Sequence, residues 1–321
     1  MHVLHVTHSA GGGTQKYIDD LMKLTGYEHT MYHGLNSDGI VYSNTFTIIH
    51  VHSFFPYEEI GWGTLMNIRW IRSLNPSVKL FVTIHDYNWL FLNNIIGSDM
   101  STQGFTTEYY TDFGQVPHSF CCYCTHELFS QADKVIMPSR SVYLNYSKFL
   151  GPLDKYKVEV VPHCDMPARY ENLWIPPVRD RVNVAFIGKK GNDVYTQVKD
   201  LVKEPIINFV EYPEYKDEEL IEMLHRDDIH VIFWPSRLEE SYCYALTRLI
   251  NSGIPIVYIR RGAFADRLPE SGRFFGTTDY KKIIPKLFDA VRAVMSSNGI
   301  KNYEKIDETV QLNSWYKENY C

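Results

Sequence analysis

Glu240 stands between two apolar runs in the stretch IHVIFWPSRLEESYCYALTRLINSGIPIVYIRRGAFADRL, which covers residues 229–268. Ile229–Trp234 and Ile254–Ile259 read as buried strands, and the segment between them reads as a helix that stops at Asn-Ser-Gly. The order strand, turn, helix, strand puts a carboxylate at the edge of an open parallel sheet, where ligands bind. The start of the helix offers backbone N–H groups to an anion.

Three further clusters have residue types suited to chemistry. Gly11-Gly12-Gly13-Thr14-Gln15 follows the first apolar run and precedes a helical pattern. Consecutive glycines let the backbone approach a ligand, and a helix start favours negative charge. Gly188-Lys189-Lys190-Gly191 follows another strand-like run and sets two ammonium groups in a glycine-flanked turn, an arrangement suited to a diphosphate. Neither cluster has the G-x-G-x-x-G spacing of a dinucleotide fold. In Thr83-Ile84-His85-Asp86-Tyr87, an imidazole and a carboxylate fall at a strand end, where they can orient hydroxyls or move a proton. His50 and His52 are expected on opposite faces of their strand, as packing residues. The nine residues from His118 to His126 hold Cys121-x-x-Cys124 between two histidines. Four zinc ligands in so short a span are cramped, and the segment reads as a loop with buried thiols.

These clusters need a scaffold, and the rest of the chain supplies one. Short β-rich runs (2–7, 47–52, 79–84, 134–137, 157–161) alternate with helical patterns (14–24, 60–74, 141–149), an order that implies parallel sheets covered by helices. Periodicity lapses over 166–177, where three prolines fall, and then resumes with strands at 182–187 and 206–210 and helices at 195–202, 217–224 and 281–296. The expected domains are therefore 1–168 and 169–300, with a last helix in 301–321. Residues 97–118 lack periodicity and read as a long functional loop.

The chain has 321 residues and a formal net charge of −6, with no block of Lys or Arg, which argues against nucleic acid as partner. The first ten residues read as a strand rather than a leader. No 18-residue apolar run implies a membrane span, and six cysteines in a chain this long suggest a reducing, cytoplasmic setting.

Trp234-Pro235-Ser236, Glu240-Ser241-Tyr242, Gly253-Ile254-Pro255-Ile256 and Gly262-Ala263-Phe264-Ala265-Asp266-Arg267 together resemble the donor-site segment of retaining glycosyltransferases of family 4. The Gly11–Gln15 loop, Thr83–Tyr87, Ala132–Ser139 and Val160–His163 follow in the family's order, and the His-Asp-Tyr element is similar to a branch that includes rhamnosyltransferases of surface polysaccharides.

The resemblance implies an α/β GT-B fold: two Rossmann-like domains facing across a cleft, acceptor-binding first and nucleotide-sugar-binding second, with the last helix crossing back to the first. It implies a nucleotide-diphosphate sugar as donor, a glycan or other hydroxyl acceptor, and retention of anomeric configuration. No metal is implied, because basic side chains and helix starts hold the diphosphate. Peripheral contact with a membrane stays open.

By the same resemblance His85, Asp86 and Glu240 are the catalytic candidates. Gly12, Gly13, Thr14, Gly188, Lys189, Lys190, Ser241, Tyr242, Cys243, Tyr244, Ala245 and Arg248 are the donor-binding ones. Arg248 departs from the family, which has a second glutamate eight positions after the first; a guanidinium has only donors and cannot accept from ribose hydroxyls. A non-catalytic nucleotide-sugar- or glycan-binding protein of the same fold and a sugar-nucleotide epimerase are the alternatives.

Overall fold

The structure is a computed structural model, and it describes residues 1–7, 12–33, 46–53, 59–87, 89–90, 108–111, 114–164, 177–178, 180–188, 193–216, 219–235, 239–269, 272–296, 315–316, 318 and 320. The chain divides into two units, one of residues 1–165 with 310–321 and one of residues 166–309.

In the first unit the order is β1 (His2–Thr7), α1 (Gly12–Thr25), β2 (Glu28–His33), β3 (Ile48–Val51), α2 (Glu59–Leu74), β4 (Lys79–Thr83), β5 (Glu108–Thr111), β6 (Gly114–Pro117), α3 (His118–Gln131), β7 (Lys134–Met137), α4 (Arg140–Leu150) and β8 (Val158–Val160). Six strands form a parallel sheet in the order β2-β1-β3-β4-β7-β8, and β5 pairs with β6 as an antiparallel hairpin.

The two faces of this sheet differ. Leu4, Val6, Ile49, Val51, Leu80, Val82, Val135 and Met137 build an apolar core with Leu65, Leu128 and Tyr146. The register aligns His5 with His50 and His50 with Phe81 on the other face. That face is covered by Tyr17 of α1 and by Tyr316 and Tyr320. The Tyr316 hydroxyl donates to the Pro162 carbonyl at 3.1 Å, and Tyr320 hydrogen-bonds His50.

The second unit runs β9 (Val182–Ile187), α5 (Asp193–Leu201), β10 (Ile207–Tyr212), α6 (Leu220–Arg226), β11 (Val231–Trp234), α7 (Tyr244–Asn251), β12 (Ile256–Ile259), α8 (Gly262–Arg267), β13 (Phe274–Thr277) and α9 (Ile283–Ser296). Its five strands are parallel, in the order β10-β9-β11-β12-β13. Both faces are apolar. Ile232 and Trp234 enter one core while Val231 and Phe233 enter the other, so β11 reads as an unbroken hydrophobic run.

Three expectations are corrected. The cysteine segment is the helix α3, not a loop: Cys121, Cys124, Thr125 and Leu128 are buried at the i, i+3, i+4, i+7 spacing of one helix face. Part of the stretch read as a loop is the β5–β6 hairpin, the rest of 97–107 lying outside the described residues. His50 and His52 share a face, with ring centroids 3.9 Å apart, because side chains two residues apart on a strand point the same way. The expected last helix is described only at residues 315, 316, 318 and 320.

Candidate functional site

In each sheet the strand order reverses beside the first strand of the unit: β1 lies between β2 and β3, and β9 between β10 and β11. Connections leave such a point toward opposite faces, which opens a crevice at the carboxyl ends of the two strands. In the second unit those ends are Ile187, followed by Gly188, and Trp234, followed by the loop that carries Glu240. Topology therefore brings Gly188 and the Glu240 loop, far apart in sequence, to one sheet edge. Gly188 takes φ 139°, a left-handed backbone that suits glycine, and its N–H donates to the Tyr212 carbonyl at 3.1 Å. Lys189 and Lys190 lie outside the described residues.

Glu240 lies in the loop before α7, which starts at Tyr244. Its side chain is partly covered, and burial raises the carboxyl above the usual carboxylate range. The backbone of Glu240 is fixed by α8: Ala263 N–H donates to the Glu240 carbonyl at 2.8 Å. Gly262 makes that approach possible. It is buried at φ 49°, and a Cβ there would overlap the Glu240 carbonyl oxygen and stand 3.0 Å from the Glu240 nitrogen.

Ser241, Tyr242 and Cys243 complete the loop. Cys243 precedes α7 with φ 62°, a conformation that costs a non-glycine residue about 1–3 kcal/mol and recurs at ligand sites. Arg267 pins the loop. One guanidinium nitrogen donates to the carbonyls of Tyr242 (3.0 Å) and Cys243 (3.2 Å), the other donates to Thr247 Oγ1 (2.7 Å), and the group lies 4.3 Å over the Tyr242 ring. Tyr244 and the buried Ala245 open α7, and no side chain of Cys243 caps it. Arg248, one turn further on, is almost wholly buried inside the second unit.

In the first unit Gly12 opens α1 at φ 65°, with nothing within 4 Å of a would-be Cβ, so backbone conformation rather than crowding calls for glycine. Gly13 is exposed and Thr14 half-buried. His85 follows β4 and is buried. Its ring lies 4.5 Å from that of His163 and 5.0 Å from that of Tyr17. Asp86 is half-buried, and its carbonyl accepts from the Tyr146 hydroxyl at 2.9 Å.

Behind His85 is a layer of histidines absent from the expected site. His52 Nδ1 lies 3.1 Å from His85 Nε2, His5 Nδ1 2.8 Å from His52 Nε2, and His29 Nδ1 2.8 Å from His5 Nε2. Burial lowers His5 and His85 to about 3, and lowers His50 and His52 well below the ordinary imidazole value, with neighbouring histidines adding to the shift in His5, His50 and His52. All are neutral at pH 7. His5, His50 and His52 offer nitrogens within 4.8 Å of one another, the reach of a metal trio. Two of these rings are bonded to each other at 2.8 Å, closer than the ~3.3 Å separating ligands on one tetrahedral ion. Cys121 and Cys124 gather no third metal ligand among the described residues, and burial pushes their thiols up to about 12 and about 11.

The sequence reading missed Gly262 and Arg267 as site residues although both lie in its motif. It also missed the histidine layer, whose signal is period-two spacing, His50-x-His52, on a strand flanked by the similar runs HVLHVT and VTIHD.

No family model matches the chain, and no curated protein matches it. Solved structures do. Anabaena Alr3699/HepE in complex with UDP superposes with a TM-score of 0.62 over 100% of this chain and 99% of that one, at 12% identity. The same protein with UDP-glucose gives 0.60 over 100% and 99%, at 11% identity.

The fold is GT-B.

In GT-B terms, the two parallel sheets of 1–165 and 166–309 are the fold's two Rossmann-like domains. Among the described residues no helix is long and apolar enough to cross a membrane.

Proposed function

We propose that this chain is a glycosyltransferase of the family 4 type, moving a hexosyl or deoxyhexosyl group from a nucleoside diphosphate sugar to a glycan or other hydroxyl acceptor with retention. The observation that carries the reading is the meeting, at the switch point of the second sheet, of the Gly188 turn and the Glu240 loop. The solved structures of Alr3699/HepE with UDP and with UDP-glucose support a nucleotide-sugar donor on this fold.

In this reading the acceptor oxygen bonds to the anomeric carbon as the bond from that carbon to the diphosphate oxygen breaks. The acceptor's proton passes to the leaving phosphate on the same face. Positive charge develops on the sugar and negative charge on the diphosphate, so preorganised donors at the diphosphate lower the barrier. Lys189, Lys190 and the N–H groups of Tyr244 and Ala245 take that role. Glu240 and the Ser241–Cys243 backbone grip donor hydroxyls, and Gly12, Gly13 and Thr14 are the first unit's donor-binding candidates. His85 and Asp86 serve the acceptor side. The donor set is basic and backbone-based, so the reading requires no metal, and it places the enzyme in the cytoplasm, with peripheral membrane contact where the acceptor is lipid-linked.

Arg248 favours a second reading, a non-catalytic nucleotide-sugar-binding protein, because a guanidinium stands where a ribose acceptor is expected. A thermal-shift screen against UDP-, GDP- and dTDP-sugars separates the two. A sugar nucleotide at 100 times its Kd adds about 2.7 kcal/mol of stability, well within detection. Glycosyl transfer by the hit, lost in Glu240→Ala with the fold retained, supports the enzyme. Binding without consumption supports the second reading, and no binding by any donor overturns both.

A further inference from the structure

Residues 310–321 belong to the first unit, while residues 166–309, which precede them, form the second. The chain therefore leaves the first unit and returns to it, and whatever fastens 310–321 gives the second unit a tether at each end. The Tyr320 N–H donates to the Tyr316 carbonyl at 3.1 Å, one helical turn, so the two phenols lie on one side of the segment. Both reach the buried face of the first sheet, and their hydrogens can be traced. Among the described residues the Tyr320 hydroxyl has one partner, His50 Nδ1. A buried phenol that only accepted there would leave its own hydrogen unbonded, so Tyr320 donates and His50 Nδ1 carries the lone pair. The hydrogen of the neutral ring is then on Nε2, which donates to Thr83 Oγ1 at 2.7 Å. Thr83 passes its hydrogen to the Tyr17 oxygen at 3.4 Å, Tyr17 donates to Tyr316, and Tyr316 donates to the Pro162 carbonyl at 3.1 Å. The far end agrees with the near one. A carbonyl only accepts, so the single hydrogen of Tyr316 is committed to Pro162 and its oxygen must accept from Tyr17.

We infer that Tyr320, His50, Thr83, Tyr17 and Tyr316 form a directed hydrogen-bonded circuit that starts and ends on the 310–321 segment, fastens it to α1, β3 and β4, and opens when His50 takes up a proton. A proton on Nδ1 turns the acceptor of the Tyr320 hydrogen into a second donor, and the two hydrogens then face each other. Opening removes one of the two tethers of the second unit.

The titratable groups around His50 come from every packed element: His5 of β1, His29 of β2, His52 of β3, His85 after β4, His163 and Cys164 after β8, Tyr17 of α1, and Tyr316 and Tyr320. Lys134 of β7 lies 5.7 Å from the Phe81 ring and 4.9 Å from the Trp315 ring. Burial and the neighbouring histidines oppose a charge on His50 while the segment is docked, and burial keeps the Tyr17 and Tyr320 phenols neutral. The proton is therefore taken up on opening, and acid favours release.

Hydrogen exchange of the full chain, read by mass spectrometry on a peptide containing residues 310–321 and corrected for the intrinsic rate at each pH, tests this. Tyr320→Phe keeps the ring and loses the donor, and Thr83→Val keeps the shape and breaks the relay. Each should speed exchange of the segment by about tenfold, the scale of one buried hydrogen bond left unmade, while peptides of β1 and β7 keep their protection. Between pH 6 and pH 5 the segment's protection should fall about tenfold more in wild type than in His50→Gln, the factor for one proton. Unchanged protection in Tyr320→Phe overturns the circuit, as does a ¹⁵N ring spectrum with the His50 hydrogen on Nδ1 at pH 7. An equal pH dependence in wild type and His50→Gln overturns the proton trigger. Loss of protection in β1 and β7 together with the segment overturns the strap, because the first unit then opens as a whole. The circuit lies within the first unit and its readout uses no substrate, so it stands apart from the glycosyltransferase reading.

Discussion

The carbonyl of Glu240 accepts a 2.8 Å hydrogen bond from the N–H of Ala263, and the residue that lets these two strand-end loops touch is the intervening Gly262. A carboxylate in an irregular loop is thereby tied to the start of α8, so its position is set by backbone rather than by side-chain packing.

That contact makes Gly262→Ala a test of site geometry. The new Cβ meets the backbone of Glu240 and demands φ 49° of a non-glycine residue. We expect a loss of about 1–3 kcal/mol in urea unfolding, as for other residues held at strained dihedrals, with donor affinity reduced more than the fold. Wild-type affinity in a folded variant would show that the Glu240 loop is not positioned this way.

Arg267, at the far end of α8, holds the same loop through two hydrogen bonds to its carbonyls and a third to Thr247 of α7. Arg267→Lys keeps the charge but cannot fork to two carbonyls and a hydroxyl at once. Donor KM should rise at least tenfold, and stability should fall by about 2 kcal/mol, the scale of a charge-assisted hydrogen bond. Initial rates at varied donor concentration check the first, and an unchanged KM would remove Arg267 from the site.

Glu240→Gln separates function from folding. Burial raises the folded carboxyl, so its charge at pH 7 costs the folded state more than the unfolded one. The amide should abolish transfer yet unfold at the same or a higher temperature than wild type, a gain that vanishes as acid protonates the wild-type carboxyl. A large drop in Tm would mean that the carboxylate serves the structure.

Acid should weaken the first unit through its histidines. His5 and His85 hold values of about 3 when folded, below the ordinary 6.5, so between those limits the unfolded chain binds protons that the folded one refuses. Their contribution is intact above pH 6.5 and is lost as pH falls toward 3. From pH 6 to pH 5 these two groups should cost on the order of 2 kcal/mol. His50 and His52 add to the loss, while the flanking Tyr17 and Tyr320, both raised by burial, stay neutral throughout. Denaturant unfolding at pH 7, 6 and 5 reads the slope, and His85→Gln should reduce it by about one proton. A flat profile would refute the neutral buried layer.

Alternation of apolar runs with helical patterns made the parallel sheets readable, since both periods are local. The strand β2 escaped notice because EHTMYH is an edge strand with little apolar content, and β13 because FFGT is too short to stand out. The helix α3 was obscured by its cysteines, which suggest ligands before they suggest one face of a helix.

Residue order alone determined the α/β class, the strand ends that carry His85, Gly188 and Glu240, and the glycines that a left-handed backbone needs. Hydrogen-bonding capacity and local periodicity are properties of short segments, so they survive in one dimension. Only the tertiary structure decided that β9 and β11 are neighbours, that Gly262 and Arg267 secure the Glu240 loop, and that His29, His5, His52 and His85, on or just beyond four strands, lie in one hydrogen-bonded row. Those facts depend on sheet order and register, which bring together groups far apart in sequence and leave no mark on the segments themselves.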